Sequence, residues 1–196
     1  MRTNYEATEP QRVLEKFVES RQRLVEMADH EQALDPQKFL YALSGFLYAF
    51  RTTAYRLLGV VRTRKGQQAG RDLWNKMLAN TSIAFLKDRS DLETHGNGPV
   101  IWKHYTLNIS DSMHSRWNRE DGPWPNRYNH SRFESRWGSV GASIQSAEWR
   151  FADRQSENLV ALCHDALAAL EEFIRESLAV PVPQSVAPKM LPVVPF

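Results

Sequence analysis

The stretch from Asp35 to Val61 constrains this chain most. Asp35 is a helix N-cap residue and Pro36 suits the first helical position. Phe39, Leu40, Leu43, Phe46, Leu47 and Phe50 follow, and then Tyr55, Leu57, Leu58, Val60 and Val61. Apolar side chains fall nearly all round such a helix, so other elements must surround it. It reads as the central buried helix of a bundle. Arg51 and Arg56 interrupt it, so it lacks the roughly 18 uncharged residues of a membrane span. Arg62-Thr63-Arg64-Lys65-Gly66 reads as the basic loop that ends it.

Three further helices are expected. The first runs from about Glu9 to His30, with Thr8 as N-cap and Gln11 completing a capping box. Val13, Leu14, Phe17, Leu24, Val25 and Ala28 keep helical spacing on it. The third runs from about Ala69 to Thr94, with Trp74, Met77, Leu78, Thr81, Phe85 and Leu92 inward and His95-Gly96 at its end. The last runs from about Gln155 to Leu178, capped by Asp153 or Ser156. Cys163 falls on its apolar stripe and reads as a core residue. Short connections make neighbouring helices antiparallel. The expected fold is mainly α: a four-helix up-and-down bundle in one domain, residues 1–179.

Composition marks what is added to that bundle. Five of the six Trp lie between positions 102 and 149, and five of the ten Pro lie after position 180. Residues 97–152 read as an irregular insertion between the third and fourth helices. Two or three short strands are expected there, at Val100–Leu107 and Glu148–Phe151 among others. Residues 180–196 form a Pro-rich but apolar tail, expected to pack along the bundle or on a partner chain. With one Cys, no intrachain disulfide forms. The N-terminus has no signal-peptide apolar core, so the expected location is cytoplasmic, with no membrane. The net charge of +2 excludes a general nucleic-acid sponge but not a local basic site.

The segment that carries chemistry is Lys87-Asp88-Arg89-Ser90-Asp91-Leu92-Glu93-Thr94-His95-Gly96. Metal-free phosphodiester cleavage needs a cation on the phosphate oxygens, which Arg supplies bidentately. It also needs a group titrating near neutrality to move the proton of the attacking hydroxyl, which His supplies. The helical pattern, the long apolar second helix and the Arg89-x5-His95 spacing resemble the HEPN superfamily (higher eukaryotes and prokaryotes nucleotide-binding domains). Its motif is Arg, four to six residues, then His. The resemblance implies a homodimer with both motifs facing one cleft. It implies a metal-independent endoribonuclease or an RNA-binding protein of toxin or defence type, partnered by RNA and by an antitoxin or other protein. Arg89 would hold the phosphate, His95 would act as acid and base, and Ser90 would lie at the substrate. Ser90 stands where active members carry Asn, Asp or His. Six residues place Arg89 and His95 about 240° apart on an ideal helix, so they converge only if the helix unwinds near Thr94 or bends. The other reading pairs Arg89 with a nearby carboxylate such as Glu93, and His95 caps the helix end.

The insertion interleaves Arg with aromatics. Arg116, Arg119 and Arg132 are substrate-binding candidates there, since rings stack unpaired bases and Arg contacts phosphates. Alternatively, the rings anchor an irregular segment onto the bundle. Arg51 to Lys76 carries a local +6, either a solvated loop or a patch for RNA or a partner. His104, His114 and His130, with Asp111 and Asp121, match no metal-ligand spacing, and no Gly-rich phosphate loop occurs. No metal and no cofactor are expected. Gly45 would allow close helix packing. The alternative function is a non-catalytic, dimeric helical interaction module.

Overall fold

The computed structural model describes residues 9–32, 35–95, 101–109, 116–121 and 142–179. The chain is mainly helical with a small antiparallel sheet. The helices are α1 (Glu9–Gln32), α2 (Pro36–Lys65), α3 (Gln67–Ala79), α4 (Thr81–His95) and α5 (Leu159–Leu178). The strands are β1 (Ile101–Ile109), β2 (Arg116–Asp121) and β3 (Ala142–Phe151), in the order β2-β1-β3.

The start of α2 follows its sequence signal: the Asp35 carboxylate accepts a hydrogen bond from the Lys38 N–H at 3.1 Å. Its end differs. The expected basic loop Arg62–Lys65 is helical, and the chain turns at Gly66, whose φ of 91° suits glycine. Phe39, Phe46, Leu47, Phe50 and Leu57 are fully buried. Tyr55 is not, with 41% of its surface exposed. Helix α1 lies antiparallel along α2: Arg56 Nη1 donates to the Arg12 carbonyl, and Lys16 lies over the Tyr48 ring. Val13, Phe17, Leu24 and Met27 of α1 are buried, whereas Val25 is 57% exposed. The expected capping residue Thr8 lies outside the described residues.

The single helix expected over 69–94 is two helices. Asn80 interrupts it with an extended backbone (φ −77°, ψ 115°). Its side-chain oxygen accepts from the N–H groups of Ser82 (3.1 Å) and Ile83 (3.0 Å). Asn competes poorly inside a helix and well at its N-cap, so the chain restarts here. The break shifts the phase of the buried face. Ile83, Leu86 and Ser90 point inward, while Thr81 is exposed and Leu92 is 46% exposed. The last helix also starts later than its pattern suggests. Asn158, not Asp153 or Ser156, caps α5 by accepting from the Ala161 N–H at 3.0 Å.

The insertion is anchored by strand β3. Trp149 is 1% exposed and stacks on Phe39 with ring centroids 4.7 Å apart. Phe151 is buried and meets Phe85 edge-on at 5.1 Å. The Trp149 N–H donates to Glu31 Oε1 (3.1 Å), which also accepts from Asn158 Nδ2 (3.2 Å). One carboxylate thus ties α1 to β3 and to the start of α5. Lys103 of β1, opposite Trp149 in register, is buried with its ammonium 5.0 Å from that ring. Cys163 is fully buried, and desolvation raises its thiol pKa well above the ordinary range, as suits a core residue.

Two outcomes are expected. Trp149→Ala should destabilise the chain by about 3–5 kcal/mol in urea unfolding, because it empties a large buried site. Glu31 has its pKa raised by desolvation, partly offset by hydrogen bonds from Trp149 and Asn158. The stability this group contributes is complete below the unfolded glutamate range and is lost as pH rises through the higher folded value. The Tm difference between wild type and Glu31→Gln should therefore shift against the wild type as pH rises from 4 to 7. A flat or opposite trend would contradict the assignment.

Candidate functional site

Arg89 projects from α4 toward the turn after β3. Its Nη2 donates to the Asp153 carboxylate, and its guanidinium carbon lies 4.7 Å from the Phe85 ring centroid and 5.9 Å from that of Phe151. Arg154 covers the same Phe85 ring at 5.0 Å and donates to Glu157 at 2.9 Å. Two guanidinium groups therefore flank one ring, each matched by a carboxylate. An expected carboxylate partner is present in Asp153, while the side chain of Glu93 lies outside the described residues. Asp153 lies 64 positions away, in the turn between β3 and α5.

Ser90 is 1% exposed, and its hydroxyl donates to the Leu47 carbonyl at 3.2 Å. It is enclosed between α4 and α2, so the expected contact with substrate is corrected to a helix-packing role. His95 is the last helical residue of α4, and the helix continues through Thr94. Six helical residues keep the two backbone positions about 9 Å apart along the axis and about 240° apart around it. On β2, Arg116 pairs in register with Asn108 and Arg119 with Tyr105. That strand lies on the far side of β1 from β3, so the sheet order separates these positions from the strand beside Arg89. Arg132 lies outside the described residues, as do His114, His130, Asp111 and the tail 180–196. Among the described residues, no three His, Cys, Asp or Glu side chains are grouped to hold a metal. No helix among them is long and apolar enough to cross a membrane.

Three residues of the basic segment are engaged within the fold, while Arg64, Lys65, Arg71 and Lys76 are exposed. Arg51 pairs with Asp91 (3.1 Å), Arg56 bonds the Arg12 carbonyl, and the Arg62 side chain covers Gly70 so closely that a Cβ there would collide with it. Gly45 has the expected packing role in a specific form: the Arg23 side chain crosses it 3.0 Å from where a Cβ would stand.

A surface that the sequence pattern concealed lies on α2. Tyr41, Tyr48 and Tyr55 are 68%, 60% and 41% exposed. They recur every seven residues, so they form one row on the helix. Arg51 lies over the Tyr55 ring at 5.5 Å and Lys16 over Tyr48 at 5.4 Å, and Trp74 stacks on Tyr55 at 5.2 Å. Beside the row, α1 carries the ion pairs Glu9–Arg12 (3.8 Å), Lys16–Glu19 (2.5 Å) and Arg23–Glu26 (2.7 Å). The signal was the seven-residue recurrence itself, masked by counting Tyr55 with the apolar residues. An apolar groove runs between α1 and α5, lined by Leu24, Val25, Ala28, Val160 and Leu167, with the Arg21–Glu171 pair (2.8 Å) at its rim.

Comparison with protein-family models, with curated proteins and with solved structures finds no match to this chain. The surroundings of Arg89 define its structural weight. Arg89→Ala loses both the pair and the stacking on Phe85, an expected cost of about 1–2 kcal/mol. Asp153→Ala removes a half-exposed partner and should cost under about 1 kcal/mol. Urea unfolding of the two variants checks the order.

Proposed function

We propose that this chain is a non-catalytic helical interaction module whose contact surface is the tyrosine row of α2 with the ion-pair row of α1. One observation carries this: three exposed Tyr at a seven-residue period, with the flanking cations Lys16, Arg23 and Arg51 each held by a carboxylate. Tyr supplies contact area at low entropic cost and is enriched at protein interfaces. In this reading α1, α2, the α3–α4 pair and α5 are the members of an up-and-down bundle, and the sheet braces one end of it.

A second function is favoured by a different observation, the two guanidinium groups of Arg89 and Arg154 on the Phe85 ring. A HEPN-like RNA-binding protein or metal-independent endoribonuclease would place an RNA phosphate there by displacing Asp153 from Arg89. His95 would then take the proton of the attacking hydroxyl and return one to the leaving oxygen. The helical continuity of α4 through His95 and the burial of Ser90 weigh against it.

One assay separates the two. Single-stranded RNA is incubated with micromolar protein in excess EDTA, comparing wild type with His95→Ala. The interaction module predicts equal, background-level cleavage by both. Cleavage by wild type that falls a hundredfold or more in His95→Ala, the usual scale for a lost general acid or base, would overturn it.

A further inference from the structure

We infer that the tyrosine row of α2 is a self-association surface, occupied by α2 of a second copy of this chain running antiparallel. The inference rests on the interaction module proposed above and names its partner.

Tyr41, Gly45, Tyr48, Thr52, Tyr55 and Gly59 fall within one sector of about 80° on the helix, at 100° per residue. A seven-residue recurrence is the repeat that keeps a seam facing another helix crossing at a shallow angle, so the occupant is itself helical. Gly59 points the same way. It sits inside α2, where glycine weakens a helix relative to alanine, and a Cβ there would meet nothing within 4 Å. Nothing among the described residues requires a glycine at this exposed position. The open space beside it leaves room for a close approach from outside the chain.

The symmetry of the row selects the second copy. Tyr41 and Tyr55 are each seven residues from Tyr48. An antiparallel α2 crossing at Tyr48 therefore sets Tyr48 against its counterpart and Tyr41 against Tyr55 of the partner, which is the self-complementary geometry of a two-fold dimer. Charge agrees. The cations beside the row are matched within their own chain by Glu19, Glu26 and Asp91. Two copies thus meet without repulsion between these three cations. Area agrees as well. At about 200 Å² per aromatic side chain, the exposures of the three Tyr leave on the order of 300–400 Å² open. That is nearly half of the roughly 800 Å² each partner buries in a standard interface, and the α1 ion-pair row alongside extends it.

This dimer differs from one that joins the two Arg89–His95 segments in a single cleft. Lys87 and Asp91 mark the flank of α4 that faces Arg51 of α2, whereas Arg89 faces Phe85 and Asp153 on the other flank. A copy seated on the tyrosine row leaves each Arg89 in its own protomer.

Light scattering coupled to gel filtration tests it, at loading concentrations from about 1 to 200 μM. The expected mass at the upper end is twice the 22.6 kDa of one chain. Tyr48→Arg should give the single-chain mass with unchanged helical content, since Tyr48 is 60% exposed and plays no part in the core. Gly59→Leu, which adds bulk where the copies approach, should raise the dissociation constant at least tenfold. Arg89→Ala should leave the dimer intact. A wild-type chain that stays single across the range overturns the proposal. So does a dimer that survives Tyr48→Arg, or one that Arg89→Ala disrupts while Tyr48→Arg does not. None of these outcomes bears on the RNA assay, so failure of the partner and failure of the interaction module are told apart.

Discussion

Burial of α2 is the constraint on which the rest depends. A 30-residue helix with Phe39, Phe46, Phe50 and Leu57 at zero exposure must be enclosed on several sides. Helices α1, α3, α4 and α5 do this, each contributing part of one continuous core. Enclosure on those sides leaves one sector of α2 uncovered. The exposed residues there, Tyr41, Tyr48, Tyr55 and Gly59, are not those of an ordinary solvated face. The same requirement that builds the core defines the surface left open.

The sheet is a second dependency. Strand β3 reaches into the helical core through Trp149 and Phe151, and the Glu31 carboxylate fixes the Trp149 backbone. Because Phe151 meets Phe85, the turn that follows delivers Asp153 and Arg154 to the flank of α4. Arg89 is thereby held by stacking and by a carboxylate. The Trp-rich segment serves here as an anchor: its described Trp149 is buried, and its neighbours position a salt bridge. Ser90, one residue on, faces the opposite way and closes the contact between α4 and α2.

Much of the fold was legible residue by residue. Asp35-Pro36 announces the start of α2, the apolar run announces its burial, and strand-forming residues near Trp102 and Trp149 announce a sheet. The errors have physical sources. Carrying one helical period through Asn80 put Leu92 and Thr81 inside and left out Ile83, because a capping side chain resets the phase. Counting Tyr55 as apolar hid the exposed row, because a phenol tolerates either environment. Asp153 looked like a cap for α5, since any carboxylate before a helix does, and Asn158 did that work instead.

By itself, then, the sequence determined where α2 begins, that this helix is central, and that Arg89 stands six residues before His95. Those features depend on hydrogen bonds and side-chain periodicity within a few residues, and near neighbours along the chain carry that information. Only the tertiary structure decided what Arg89 touches, which way Ser90 faces and which side of α2 stays open. Those depend on contacts between residues such as Arg89 and Asp153, 64 positions apart, and on which surfaces the other helices cover. No local pattern specifies them, because burial is settled by the packing of the whole chain.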